Sequence, residues 1–107
     1  MSTAGGGPRT PDESTDCQSI NVETFLNSPD DGILPNLRRG YILSIEIETT
    51  PKGTSTLVAK DISGAIAGSL TPTSFATIIR CIREGVFFVA DVLEVSGASV
   101  RVRIRPK

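Results

Sequence analysis

Residues 71–85, TPTSFATIIRCIREG, form the clearest helix in a chain that otherwise alternates like β-structure. Large apolar residues recur there at i, i+3, i+4 and i+7, on one helical stripe: Phe75, Ile78, Ile79 and Ile82. Thr71 followed by Pro72 predicts an N-cap with proline at the first helical position. Gly85 predicts the left-handed residue that ends the helix. We therefore expect one helix over residues 71–85.

Five strands are predicted around this helix, three before it (41–48, 54–61 and 65–70) and two after it (86–95 and 99–105). Alternation is cleanest in the last strand, SVRVRIR, with valine and isoleucine inward and arginine outward. The fourth strand is so continuously apolar that both of its faces should be covered. Gly68 predicts a bulge or bend in the third strand.

The element order β-β-β-α-β-β predicts a mainly β fold with one helix, α+β by element count. It is the order of a small five-stranded OB-like barrel, in which the helix closes one end. The alternative is a five-stranded sheet with one helix packed on it, and spacing alone leaves both open.

The chain divides into three parts by composition. Residues 1–19 are rich in Gly, Pro, Ser, Thr and acid, which predicts a disordered acidic leader. Residues 20–36 are intermediate and predict a strap or linker that docks on the domain, with a linear partner motif as the alternative. Residues 37–107 predict the OB-like domain. Residues 1–36 carry one basic and six acidic side chains, against ten and six in the rest, so the charge is asymmetric.

The composition argues against catalysis and against cofactors. The chain of 107 residues has no histidine, which removes His-based acid–base chemistry and most catalytic zinc sites. Two cysteines far apart cannot build a structural zinc site, so we expect no metal, no cofactor and no enzyme. No stretch approaches the roughly 18 apolar residues of a membrane span.

The two cysteines, Cys17 and Cys81, lie in different settings, one in the polar leader and one in the helix. A disulfide between them is one possibility. The expectation is two free thiols in a reducing compartment, and therefore an intracellular protein of the cytoplasm or nucleus.

Residues 58–70, VAKDISGAIAGSL, resemble the second and third strands of nucleic-acid-binding OB domains. From residue 64 to 104, the stretches AGSLTP, SFATIIRCIREG, FFVADVLEV and SVRVRIR resemble the second half of a HIRAN-type domain, an OB-like module found with DNA repair and remodelling enzymes. The Asn-Pro-Tyr-Asp-like segment of that family is missing, since residues 49–55 are TTPKGTS. The resemblance implies a nucleic-acid-binding fold but no carry-over of strand-end recognition.

Arginines on the outer face of the last strand are the main candidate site. Alternate strand residues lie about 6.6 Å apart, close to the phosphate repeat of an extended single strand. The alternative is an ordinary solvated or edge-protecting face. Stacking on bases needs exposed aromatics, which are scarce. The predicted nucleic-acid-binding residues are Arg101, Arg103, Arg105, Lys107, Arg38, Arg39, Lys52, Tyr41 and Phe87.

Two functions of different classes follow from these patterns. The first is a small module that binds single-stranded DNA or RNA through this basic β face. The second is a protein–protein interaction domain within a larger assembly, such as one for DNA repair or replication, which would use a sheet edge or the 20–37 strap. A subsidiary hypothesis is that the acidic leader occupies the basic face and competes with a polyanion.

Overall fold

The computed structural model describes residues 16–107, which form one curled antiparallel sheet of six strands and one α-helix. In chain order, the elements are β1 (Val22–Phe25), β2 (Ile42–Thr49), β3 (Ser55–Lys60), β4 (Ile66–Leu70), α1 (Phe75–Arg83), β5 (Phe88–Ser96) and β6 (Ser99–Pro106). Two short 3-10 helices lie at Cys17–Ser19 and Leu34–Asn36. The strand order across the sheet is β1-β6-β5-β2-β3-β4.

The sheet curls into a half-barrel whose two edges meet at one point. Just after β1, the backbone N–H of Asn27 donates to the carbonyl of Ser69 in β4 (2.8 Å), and the N–H of Ser69 donates back (3.1 Å). The N–H of Asp30 then donates to the carbonyl of Ala67 (2.8 Å). This contact partly covers the backbone groups that the edge strands would otherwise expose.

The core fills the concave side of the sheet, where the inward residues of the strands meet the helix. On β6, the predicted inward residues Val100, Val102 and Ile104 are fully buried. The fourth predicted strand, now β5, has Phe88, Val89 and Ala90 all buried, so the prediction that both its faces are covered is confirmed there. The largest other fully buried side chains are Leu43, Leu57, Leu70, Ile78 and Val92.

The helix ends as predicted but begins later. Gly85 has a φ of 101°, the left-handed conformation that favours glycine. At the other end, the helix begins at Phe75 after a turn in which the Phe75 N–H donates to the Pro72 carbonyl (3.1 Å). Ser74, not Thr71, precedes the first helical residue, and it makes no side-chain capping bond; the Thr71 hydroxyl accepts a hydrogen bond from the Asn27 side chain (2.9 Å). The predicted start at residue 71 is therefore wrong.

The predicted count of five strands is also wrong, because part of the proposed strap joins the sheet. Residues Val22–Phe25 pair antiparallel with β6, in register from Val22 opposite Ile104 to Phe25 opposite Arg101. Burial of Ile20 and Leu26 on either side of β1 holds this strand against the core. Of the predicted leader 1–19, the first fifteen residues lie outside the described part.

Cys17 and Cys81 form a disulfide, so the prediction of two free thiols is wrong. The pairing becomes possible because residues 16–20 fold back beneath the helix, with Ile20 in the core. Cys81 is fully buried within α1, and Cys17 is half-buried in the first 3-10 helix. The bridge closes a loop with a sequence separation of 64 residues.

Removing this disulfide should lower the stability of the fold. A loop of this length gives a chain-entropy stabilisation of about 4 kcal/mol, and we expect a Cys17→Ser/Cys81→Ser variant to lose roughly 2–4 kcal/mol. Chemical denaturation of the oxidised protein and the variant measures this difference. Alkylation under denaturing conditions without reductant should label neither cysteine of the oxidised protein; two labelled thiols would contradict the bridge.

Gly68 is required where the two sheet edges meet. The β3–β4 register skips Ala67 at this position, which confirms the predicted irregularity. A Cβ on Gly68 would lie 3.0 Å from the Asn27 carbonyl oxygen and 3.2 Å from the Leu26 Cβ.

Gly68→Ala should therefore destabilise the fold by about 1–2 kcal/mol. Thermal unfolding checks this against Ser69→Ala, and equal stability of the two variants would contradict it.

Candidate interaction surfaces

The predicted arginine face exists, but its charges are paired within the chain. Arg101, Arg103 and Arg105 lie on the outer face of β6, each between 36% and 41% exposed. The strand is internal to the sheet, between β1 and β5, and both neighbours carry acidic side chains toward it. The face is therefore neither an edge nor an uncompensated basic rail.

Glu23 of β1 is the carboxylate that holds two of these arginines. Arg101 donates from Nη1 to Oε1 of Glu23 (2.8 Å), and Arg103 donates from Nη2 to Oε2 (3.0 Å). The hydrogen bonds from Arg103 and then Arg101 lower the pKa of the Glu23 carboxyl below its ordinary value. One acidic residue thus bridges two positions of the predicted rail.

The remaining arginine is paired from the other side. Arg105 donates from Nε and Nη2 to the two carboxylate oxygens of Asp91 on β5 (2.6 and 3.1 Å), a bidentate contact. That hydrogen bond raises the pKa of Arg105 above its ordinary value. Arg101 also approaches Glu94 at 3.5 Å. These pairs are exposed to solvent and screened by salt, so they can exchange partners.

The other predicted site residues fall into three separate places. Arg38 and Arg39 lie beside Arg101 in a shallow depression with Glu94, so these three cations are brought together. Phe87 is 76% exposed and lines a different groove, together with Lys107. Lys52 lies in the turn after β2, whereas Arg38 lies in the loop before this eight-residue strand. The full predicted set is therefore not one site.

Tyr41 belongs to an apolar groove at one end of the sheet. Tyr41 precedes β2, which begins at Ile42, and its side chain is exposed. Tyr41 lies beside Ile42, which is 57% exposed, and near Ile62, which is fully exposed. The groove has a volume of about 420 Å³ and is lined by Ile33, Asn36, Leu37, Tyr41, Ile42, Leu43, Asp61 and Ile62.

A hydrogen-bonded turn holds Ile62 in this exposed position. The Asp61 carboxylate accepts from the Ser63 N–H (2.9 Å), the Ser63 hydroxyl (2.6 Å) and the Ala65 N–H (3.0 Å). These bonds, led by the Ser63 hydroxyl, lower the pKa of Asp61. Gly64 completes the turn with a φ of 90°. Ile62 is thus presented by a defined turn at the β3–β4 connection.

Sequence reasoning missed both Glu23 and Ile62. Glu23 lies in a segment whose pairing partner is nearly eighty residues away, so its contact with the arginines leaves no local pattern. The exposure of Ile62 could have been suspected from the sequence, because an isoleucine in an Asp-Ile-Ser-Gly turn lies outside the strands on either side.

Within residues 16–107, no group of three or more acidic, histidine or cysteine side chains is arranged to hold a metal ion. Over the same range, the one α-helix is too short to cross a membrane. No protein-family model matches the chain, and searches of curated proteins and of solved structures gave no match. Function is therefore inferred from the arginine face and the apolar groove.

Acid should weaken the contacts of Glu23 and Asp61. A carboxyl whose pKa is lower in the folded state contributes stability above its unfolded pKa, and that contribution is lost as the pH falls through the folded pKa. Both pKa values are lowered, so the loss should occur below about pH 4. Denaturation midpoints measured from neutral pH to pH 2 should fall more steeply for the native chain than for Glu23→Gln/Asp61→Asn. Parallel profiles would contradict the assignment, and Asp31→Asn/Glu48→Gln, which removes two other exposed carboxylates, serves as the charge-matched control.

Proposed function

We propose that this chain is a protein-interaction module that binds an apolar segment of a partner protein in the groove around Tyr41, Ile42 and Ile62. The observation that carries the proposal is the fully exposed Ile62 beside the 57% exposed Ile42. Clustered exposed apolar side chains around a concave surface are typical of binding sites.

The groove fits one or two large side chains of an extended or helical peptide. Its floor comes from the buried Leu37 and Leu43, which the core holds in place. Its rim carries the Tyr41 ring and the Asn36 amide, which can fix orientation by polar contacts. Aromatic and aliphatic residues that surround a preformed depression are the usual central contacts of protein interfaces.

The charge balance of the chain also supports a protein partner over a polyanion. The full sequence carries eleven basic and twelve acidic side chains, a net charge of −1. That net charge offers no long-range attraction for nucleic acid. An interface that depends on burial of apolar surface does not require such attraction.

Substitution of the exposed groove residues should weaken peptide binding without unfolding the protein. A phage-displayed random peptide library selected on the oxidised chain should enrich sequences with large apolar residues. A labelled selected peptide should then lose at least about tenfold in affinity for Ile42→Ser/Ile62→Ser, measured by fluorescence anisotropy. Both side chains are exposed in the free protein, so the thermal unfolding midpoint should change little.

Phe25→Ser is the matched control for this experiment. Phe25 is another exposed apolar side chain, 51% exposed on β1, and does not line the groove. It should leave peptide affinity unchanged. Peptides that bind both variants as tightly as the native chain would contradict the groove as the site. Sedimentation of the free chain separately tests whether the patch pairs with a second copy instead.

A second candidate function is binding of single-stranded nucleic acid on the outer face of the sheet. It is supported by the proximity of Arg38 and Arg39 to Arg101, and by the outward position of Phe87 next to Lys107. The resemblance of residues 58–70 to OB domains, and of residues 64–104 to HIRAN-type domains, favours the same function. Exposed aromatics and cations together are the means by which sequence-tolerant modules hold a strand.

The salt dependence of binding separates the two functions. A labelled mixed-sequence single-stranded DNA and its RNA counterpart should bind at low salt and weaken at near-physiological salt if the second candidate is correct. Changing Arg101, Arg103 and Arg105 to Ser should remove that binding. The peptide affinity of the groove should be insensitive to both changes, because its contacts are apolar.

A further inference from the structure

We propose that β1 masks an anion-binding surface on β6 and that opening of the Cys17–Cys81 disulfide exposes it to single-stranded nucleic acid. This inference rests on the second candidate function and adds its regulation. The masking group is Glu23, which occupies Arg101 and Arg103 in the folded, oxidised chain. Removal of the Glu23 carboxylate would leave the adjacent guanidinium groups of Arg101 and Arg103 free to bind phosphates.

The Glu23 carboxylate contacts Arg101 and Arg103 in the way that a bound anion would. Glu23 lies directly opposite Arg103 in the β1–β6 register, and its two oxygens each accept from a different arginine. A phosphate that bridged the same two arginines would need the same positions. Because Glu23 is carried by the chain itself, it competes at high effective concentration while β1 is docked.

β1 is held at two ends that differ in chemistry. On its C-terminal side, Leu26 is buried and Asn27 pairs with Ser69. On its N-terminal side, Ile20 is buried and the chain is fixed to the helix by Cys17. Only the N-terminal attachment includes a reversible covalent bond. When it opens, the segment from Cys17 to Glu23 is held by Ile20 and by a four-residue strand at one edge of the sheet, which pairs on one side only.

A dithiol reductant can open this attachment by thiol–disulfide exchange. One thiolate of the reductant attacks the sulfur of Cys17, which is the less buried of the two, and the Cys81 sulfur leaves and takes up a proton. The second thiol of the reductant then displaces Cys17 from the mixed disulfide. The products are two protein thiols and the oxidised, cyclic reductant, so two electrons and two protons have passed to the protein.

The exposed surface would be larger than two arginines. Arg38 and Arg39 lie next to Arg101. Among residues 16–107, neither of them forms an ion pair, so both are already available to a ligand. Loss of Glu23 from this neighbourhood would leave four cations against Glu94. A groove of that charge would bind an extended phosphodiester chain in a salt-dependent way.

Fluorescence anisotropy with a labelled mixed-sequence single-stranded DNA tests the mask in the full chain. At low salt, we expect about fivefold tighter binding for the reduced chain and for oxidised Glu23→Gln than for the oxidised native chain. Reduction should add little to Glu23→Gln, since the same charge has already been removed. Glu23→Gln keeps the disulfide, so the test does not depend on the reduced chain remaining folded.

Glu48→Gln is the matched control, because it removes the same charge from the outer face of β2, away from the arginines. Equal tightening by Glu48→Gln would show a general charge effect and overturn the mask. Equal binding by the oxidised, reduced and Glu23→Gln proteins would overturn it while leaving nucleic-acid binding in place. Absence of binding by every form would overturn both, and the peptide groove would be unaffected.

Discussion

The docking of β1 on β6 joins the core, the two edges of the sheet and the disulfide. It places Ile20 and Leu26 in the core, brings Asn27 to Ser69 at the opposite edge, and positions Cys17 beneath the helix. A sheet without β1 would leave the backbone of β6 exposed along an edge. The segment that closes the fold is therefore also the one whose removal would change the surface most.

The same strand couples stability to charge. Its inward residues contribute to the core, while its outward Glu23 faces the arginines of β6. In a strand these two roles fall on alternate residues and cannot be separated, because one register fixes both. Any event that moves β1 would expose apolar surface and cations together. The disulfide suits this position, since it makes such an event depend on redox conditions as well as on thermal motion.

Local patterns predicted most of the fold but not its closure. The stripe from Phe75 to Ile82, the left-handed Gly85 and the alternation of residues 99–105 each follow from periods of 3.6 or 2 in neighbouring residues, and the structure agrees. The pairing of β1 with β6 and of Cys17 with Cys81 links residues more than sixty positions apart. Nothing in the local sequence of residues 20–26 specifies a partner at that distance. The sequence therefore predicted a strap there and not a strand of the sheet.

The pairing of the candidate arginines could not be predicted from local sequence either. The outward arginines were predictable from alternation, and their solvent-facing side is as expected. Whether an outward arginine is free depends on the strands beside it, and these supply Glu23 and Asp91. The net positive charge of residues 37–107 therefore overstated the free positive charge on the arginine face, because the Glu23 carboxylate that compensates it lies in the preceding segment. The apolar groove, by contrast, does not depend on charge pairing, and within residues 16–107 its Ile62 is fully exposed.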